Sequence, residues 1–283
     1  MELTHVSEVR ALLSRHGFTF SKSLGQHFLI HPHIAPRMAE NAVISATCGV
    51  LEIGPGIGVL TKELALRAQK VVAVELDRRL LPVLQETLSA FGHIRIIEGD
   101  VLKIDLAALI EEHFAGMDVT VCANLPYYIT SPVIMRLLES RLPVKTVTVM
   151  VQKEAADRLC AKVGTRLSGA VTVAVAYYAE ADVIMRVSRG SFLPPPNVDS
   201  AVIQLKIRKN PPVKVVSEAA FFQTVKAAFG QRRKTIINSL SNGLGVSKEK
   251  IRETLSAAGI AETRRAETLT LCDFAALANE KFL

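Results

Sequence analysis

Apolar positions recur along the chain in two alternating rhythms. Val6, Val9, Leu12 and Leu13 fall on one face of a helix. Residues Ser21 to Gly25 read as a polar loop, and Pro32 suits the first turn of a helix carrying Ile34, Met38 and Ala42. Short, largely apolar runs follow at Val50–Ile53, Val71–Val74, Ile94–Ile97, Val119–Ala123 and Val147–Val151. Runs of this kind fit parallel strands buried on both faces. Helical patterns lie between them, at Thr61–Ala68, Leu80 to Leu88, Leu106 to Ile110 and Val133 to Leu138. Ala181–Val187 and Ala201–Ile207 read as two more strands, expected to pair antiparallel at one edge.

Strand–helix alternation predicts an α/β fold: a mostly parallel seven-stranded sheet with helices on both faces. Asn210-Pro211-Pro212 breaks the alternation, and only helical patterns follow, at Ala219–Phe229, Lys234–Leu240, Lys248–Ala257 and Asp273–Phe282. The expected boundaries are a first domain over 1–209, with an N-terminal cap segment over 1–30, and a small all-helical domain over 210–283.

Composition changes this picture little. Hydrophobic residues make up 49% and charged residues 22%, which excludes a disordered chain. The four cysteines are far apart and form no C-x-x-C pair, so neither a disulfide framework nor a metal site is expected. No apolar run is long enough to span a bilayer, and Met1-Glu2-Leu3-Thr4-His5 lacks the order of a secretory signal, so a cytoplasmic protein away from membranes is expected. Charge is more informative. Between Arg186 and Lys234 ten Lys/Arg face two acids, a net +8 where the whole chain carries +7. A basic excess confined to one stretch is the footprint of a polyanionic partner.

The candidate chemistry lies at strand ends. Glu52-Ile53-Gly54-Pro55-Gly56-Ile57-Gly58 follows a strand and opens a helix. Glycines there let the chain turn tightly and let a ligand approach the backbone. Glu75 ends the next strand about 20 residues on, where an acid meets ribose hydroxyls in nucleotide sites, and Asp100 ends the third. The spacing is G-x-G-x-G, with an acid before it. An acid-rich crevice suits a cationic sulfonium better than a pyrophosphate, so the expected ligand is S-adenosylmethionine and not a dinucleotide. Asn124-Leu125-Pro126-Tyr127 ends the fourth strand and faces the same crevice. An Asn oxygen and a carbonyl before or at the proline can accept both hydrogens of an aromatic amine, while Tyr127 stacks on its ring. Phe192, heading the stiff loop Pro194-Pro195-Pro196, is a candidate for the opposite wall of that base.

With Ser23-Leu24-Gly25-Gln26-His27-Phe28-Leu29 near the start and Phe229-Gly230-Gln231-Arg232-Arg233-Lys234-Thr235 and Asn238-Ser239-Leu240 near the end, these residues resemble the ribosomal RNA adenine dimethyltransferase family, from about Phe20 to the C-terminus. The resemblance implies a Rossmann-like class I methyltransferase, acting as a monomer on 16S ribosomal RNA in the small subunit or its precursor. It implies two methyls placed on each of two adjacent adenines near the 3′ end, with S-adenosylhomocysteine released and no metal. It assigns His27, Leu29, Gly54, Gly56, Glu75, Leu76, Asp100, Val101 and Asn124 to the donor. It assigns Asn124, Pro126, Tyr127 and Phe192 to the target base, and Arg232, Arg233 and Lys234 to RNA. The family commonly has Asn where this chain has His27; a histidine also donates or accepts hydrogen bonds. A large-subunit adenine methyltransferase and a non-catalytic assembly factor are the competing readings of the same scaffold.

Overall fold

The computed structural model describes residues 2–21 and 24–280. Ser23 and Phe282, one beginning the N-terminal motif and the other the expected end of the last helix, lie outside them. The strands among the described residues are β1 (Phe28–Leu29), β2 (Gly49–Ile53), β3 (Lys70–Glu75), β4 (Ile94–Glu98), β5 (Val119–Asn124), β6 (Val144–Gln152), β7 (Ala179–Val187), β8 (Phe192–Leu193) and β9 (Ser200–Ile207).

Seven of them form one sheet in the order β4-β3-β2-β5-β6-β9-β7. The β4–β3, β3–β2, β2–β5 and β5–β6 pairs are parallel, and β9 runs antiparallel to β6. All five residues of β2 are buried, including Glu52, as are Val71 to Glu75 of β3 and Val119 to Ala123 of β5. Burial on both faces explains why these central strands are nearly continuous apolar runs. Edge strands β4 and β7 are more exposed. The two late strands are neighbours at one edge, as the pattern predicts.

Three local features depart from the sequence pattern: one changes an expectation and two have no counterpart in it. The helix carrying Met38 begins at Ile34, two residues after Pro32, and Pro36 occupies its first turn instead. The 152–180 region, which shows no readable period, contains the helix Ala170–Tyr178. Its Val173, Ala174, Val175, Tyr177 and Tyr178 are all buried, so it has no polar face to set a rhythm. The third is a two-stranded sheet, β1 with β8, pairing Phe28 with Leu193 and Leu29 with Phe192. Two-residue strands carry no periodicity of their own.

The chain divides into two compact units, Met1–Ala156 with Asp182–Ile207, and Asp157–Ala181 with Arg208–Leu283. The second unit thus takes in a segment that the sequence pattern places in the first domain. The cause is aromatic packing. Tyr177 stacks on Phe221 and Tyr178 on Phe222, and both tyrosine hydroxyls donate to Glu218. The helix Glu218–Phe229 also packs against Ile236–Leu244 and Leu271–Asn279, which together bury Phe221, Leu240 and Phe274.

Candidate active site

Strand register places the candidate residues at one level. Ile53 of β2 pairs with Val74 of β3 and Ala123 of β5, so Glu75 and Asn124, each one residue further, flank Gly54 on either side. This is the carboxyl edge of a parallel sheet at the point where strand order reverses, the position at which such sheets bind ligands.

The glycine turn has the backbone that only glycine adopts readily: Gly54, Gly56 and Gly58 have φ of 69°, 61° and 92°. A Cβ at Gly56 would come within 3.2 Å of the Phe28 ring, so the cap segment closes directly over the turn. Glu75 is fixed by two backbone donors, Asp77 N–H at 2.8 Å and Gly56 N–H at 3.2 Å. Burial pushes its carboxyl up from the usual range, while those hydrogen bonds pull the other way. Glu52 is 1% exposed and its Oε2 has no hydrogen-bond partner among the described residues. Burial pushes its carboxyl up to about 8, opposed by the Thr61 hydroxyl and reinforced by Glu75. Asp100 accepts from the Leu102 N–H at 2.9 Å.

Glu52, Glu75 and Asp100 line one cavity with Gly54, Gly56, Leu76, Val101 and Asn124, and among the described residues the wall carries neither lysine nor arginine, Lys103 reaching Asp100 from outside it at 3.6 Å. That donor set fits a nucleoside bearing a cationic sulfonium: acids for hydroxyls and an amine, apolar Leu76 and Val101 beside them, and a glycine cradle. It does not fit a phosphate.

The cap segment supplies the remaining wall through Leu24 to Leu29. It is tied down by Gln26 of the N-terminal motif together with two side chains, Asp77 and Arg79, that no sequence motif marks. Gln26 donates to Asp77 at 2.7 Å and accepts from the Ser21 N–H at 3.0 Å. Arg79 donates twice to the same Asp77 carboxylate, at 2.8 and 2.6 Å, reaches the Thr19 carbonyl, and lies over the Phe18 ring. Arg79 holds the Asp77 carboxyl below its usual range. A signal is present in the sequence, since Asp77 stands two residues after Glu75, but without the fold nothing links it to residue 26.

The tetrapeptide divides its labour. Leu125 is 1% exposed and anchors the turn inward, its N–H bonded to the Met150 carbonyl. The Asn124 side-chain nitrogen donates to the His27 carbonyl at 3.2 Å, which leaves Oδ1 without a described partner at the cavity. The Pro126 carbonyl already accepts from the Ile129 N–H and the Thr130 hydroxyl. The Leu125 carbonyl has no hydrogen bond among the described residues. Of the two carbonyls that the sequence leaves open, it is the one available to an amine. Tyr127 shares a 2.7 Å hydrogen bond with Ser200, and burial raises its phenol above the usual range.

His27 joins three pieces of the site. Its Nδ1 donates to the Pro194 carbonyl at 2.7 Å, its ring stacks on Tyr127 at 5.7 Å, and its own carbonyl receives Asn124. Phe192 behaves differently from its expected place as a wall of the base site. It is 2% exposed, pairs with Leu29 and belongs to the hydrophobic core, and it is not among the cavity-lining side chains. An apolar ring at the head of a strand is drawn into the core by the β1–β8 pairing. Arg232, Arg233 and Lys234 are exposed in the helical unit, Arg232 donating to the Arg166 carbonyl at 3.1 Å.

Known proteins extend these observations. The family model described as ribosomal RNA adenine dimethylase matches residues 17–281. A protein of Geobacillus sp. strain WCH70 named ribosomal RNA small subunit methyltransferase A is 55% identical over 274 residues, covering 95% of this chain and 94% of its own. A Bacillus cereus protein of the same name is 48% identical over 277 residues, covering 96% and 95%. Among solved structures, a dimethyladenosine transferase from Plasmodium falciparum superposes with a TM-score of 0.74 at 27% identity, over 89% of this chain and 96% of that one. The 23S rRNA methyltransferase ErmE gives a TM-score of 0.68, also at 27% identity, over 89% and 98%. The chain belongs to the ribosomal RNA adenine dimethylase family, whose members are methyltransferases dependent on S-adenosylmethionine.

Proposed function

We propose that this protein transfers two methyl groups to the exocyclic amine of each of two adjacent adenines near the 3′ end of 16S ribosomal RNA, within the small subunit or its precursor. The donor is S-adenosylmethionine, released as S-adenosylhomocysteine. The observation that carries this reading is the pair of acceptors at the end of β5, Asn124 Oδ1 and the Leu125 carbonyl, with the Asn124 nitrogen committed to His27.

The donor brings an electrophilic methyl group on a sulfonium. Glu75 and Asp100 line the cavity and would hold its ribose hydroxyls and adenine amine, with Leu76 and Val101 beside the ring. An adenine amine is a weak nucleophile because its lone pair is delocalised into the ring. Two acceptors that take both amine hydrogens pull the nitrogen towards tetrahedral geometry and aim its lone pair at the cavity. Tyr127 provides a stacking face, and its hydrogen bond to Ser200 fixes the ring. Catalysis is then positioning and electrostatics, and the amine proton leaves after the carbon–nitrogen bond has formed.

Small-subunit over large-subunit RNA is favoured by the relatives. Those named for the small subunit are 48–55% identical, against 27% for ErmE. Primer extension on both ribosomal RNAs after incubation of the protein with donor and unmodified subunits tests the proposal. Dimethyladenine is expected in 16S RNA, and its appearance in 23S RNA alone overturns the choice.

A further inference from the structure

The tetrapeptide is followed by a second aromatic residue whose role the mechanism leaves open. Tyr127 and Tyr128 stand in one short 3-10 turn, Tyr127–Ile129, where successive side chains point about 120° apart. Tyr127 turns inward, half-buried, with its hydroxyl on Ser200. Tyr128 turns outward. It lines the mouth of the same cavity, is 55% exposed, and its hydroxyl makes no hydrogen bond among the described residues. Its ring edge rests against Gly25, where a Cβ would come within 3.4 Å, and Gly25 holds a left-handed φ of 56°. The ring therefore leans on the cap segment with one edge and shows a face to solvent.

Leu76 is the other large apolar side chain exposed on this cavity, at 48%. It follows Glu75 at the donor end, where the proposed nucleoside covers it. Tyr128 adjoins Pro126 and Tyr127 at the acceptor end, so a donor placed on Glu75 and Asp100 leaves it uncovered. A base reaching Asn124 must leave its stack, and its removal exposes the face of the next base in the strand. An uncovered aromatic at the point of entry is the usual partner of such a base.

We propose that Tyr128 stacks on the nucleotide adjacent to the target adenine and holds the strand open while Tyr127 holds the target itself. This rests on the reading of the site as one for RNA adenines. Tyr128 thereby acts as a specificity-determining residue: the protein engages two consecutive bases with two consecutive tyrosines.

The test is a cycle between Tyr128 and the neighbouring base. Small-subunit particles are reconstituted with 16S RNA ligated to a synthetic 3′ segment, either intact or abasic at a nucleotide flanking the target on one side or the other. kcat/KM for methylation is measured for the wild type, Tyr128→Leu and Tyr128→Phe. Leucine keeps an apolar contact with Gly25 and removes the stacking face; phenylalanine keeps both. On intact RNA Tyr128→Leu is expected to lose roughly 5- to 150-fold, the span of one base–aromatic stack, mostly in KM, and Tyr128→Phe to stay near wild type. On RNA abasic at one flanking position the leucine variant and the wild type should converge. Equal losses by Tyr128→Leu on intact RNA and on both abasic RNAs would overturn the stacking and leave the wider reading standing. No methylation of the intact particle by the wild type would overturn both.

Discussion

The side-chain nitrogen of Asn124 donates to the backbone carbonyl of His27 across 97 positions of sequence, at 3.2 Å. The bond ties the cap segment to the end of β5 and decides which end of the carboxamide faces the cavity. Asn124→Ala removes both the tie and the acceptor. Methylation is expected to fall at least 100-fold in single-turnover assays, the scale of removing one preorganised electrostatic donor or acceptor, while RNA binding by filter retention persists. Unchanged methyl transfer would remove Asn124 from the chemistry, and loss of RNA binding alone would favour a non-catalytic assembly factor.

His27 acts through two different parts. Its carbonyl holds Asn124 whatever the side chain, while its ring holds Pro194 and Tyr127. His27→Ala is expected to remove only the second function, with a stability loss of about 1 kcal/mol for the hydrogen bond, read by urea denaturation. His27→Asn restores a side-chain donor near Pro194 and should recover part of the loss. A larger defect in His27→Asn than in His27→Ala would show that the ring contact with Tyr127 matters more than the hydrogen bond.

These relationships mark where sequence reasoning stops. The parallel strands are legible because burial on both faces writes continuous apolar runs, as at Val71–Val74. Glu75 is legible because it ends such a run, and Asp100 because it stands two residues past the end of β4. The helix Ala170–Tyr178 is not, because it is apolar all round, and β1 and β8 are not, because two residues show no period. The burial of Phe192 is not legible either, because its pairing with Leu29 spans 163 positions. The Gln26–Asp77–Arg79 cluster is invisible because only the closing of the cap over β3 brings its members together.

That cluster makes its own prediction. Asp77 binds Gln26 and Arg79 with its side chain and Glu75 with its backbone, so the cap's fastening and the acid proposed for the donor share one residue. Asp77→Asn weakens the charged bonds to Arg79 and keeps the backbone bond to Glu75. Amide hydrogen exchange over 24–29 should speed up, with donor affinity by calorimetry falling several-fold. Unaltered exchange there would mean that the Phe28 packing alone holds the cap.

Arg232 and Arg233 stand exposed in the helical unit. If they neutralise phosphates, Arg232→Gln with Arg233→Gln weakens RNA binding and lowers the magnitude of the slope of log K against log salt by about 0.7 to 0.9 for each phosphate left unneutralised. The Arg232 hydrogen bond to Arg166 is intramolecular, so circular dichroism melting of the same variant separates folding from binding. Weaker binding with an unchanged slope would take both arginines out of the RNA interface.

Glu52 predicts a pH dependence of stability with a definite sign. Buried on β2 with one oxygen unpartnered, it holds its proton up to about pH 8 in the folded chain, against 4.5 for an ordinary glutamic acid. Below pH 4.5 both states are protonated and the residue favours neither. Between pH 4.5 and about 8 the unfolded chain sheds the proton and the folded chain keeps it. Stability should therefore fall as pH rises through this window, by at most about 1.4 kcal/mol per pH unit from this group, and level off above it. Burial raises Glu75 too, so part of the slope in the same direction belongs to that residue. Glu52→Gln keeps the shape and cannot ionise. Denaturant titrations of both proteins at about pH 5, 6, 7 and 8 should converge at the acid end and separate upward, the glutamine variant becoming the more stable. Parallel curves would mean that Glu52 is ionised in the folded state, held by a partner that the unpartnered oxygen does not reveal.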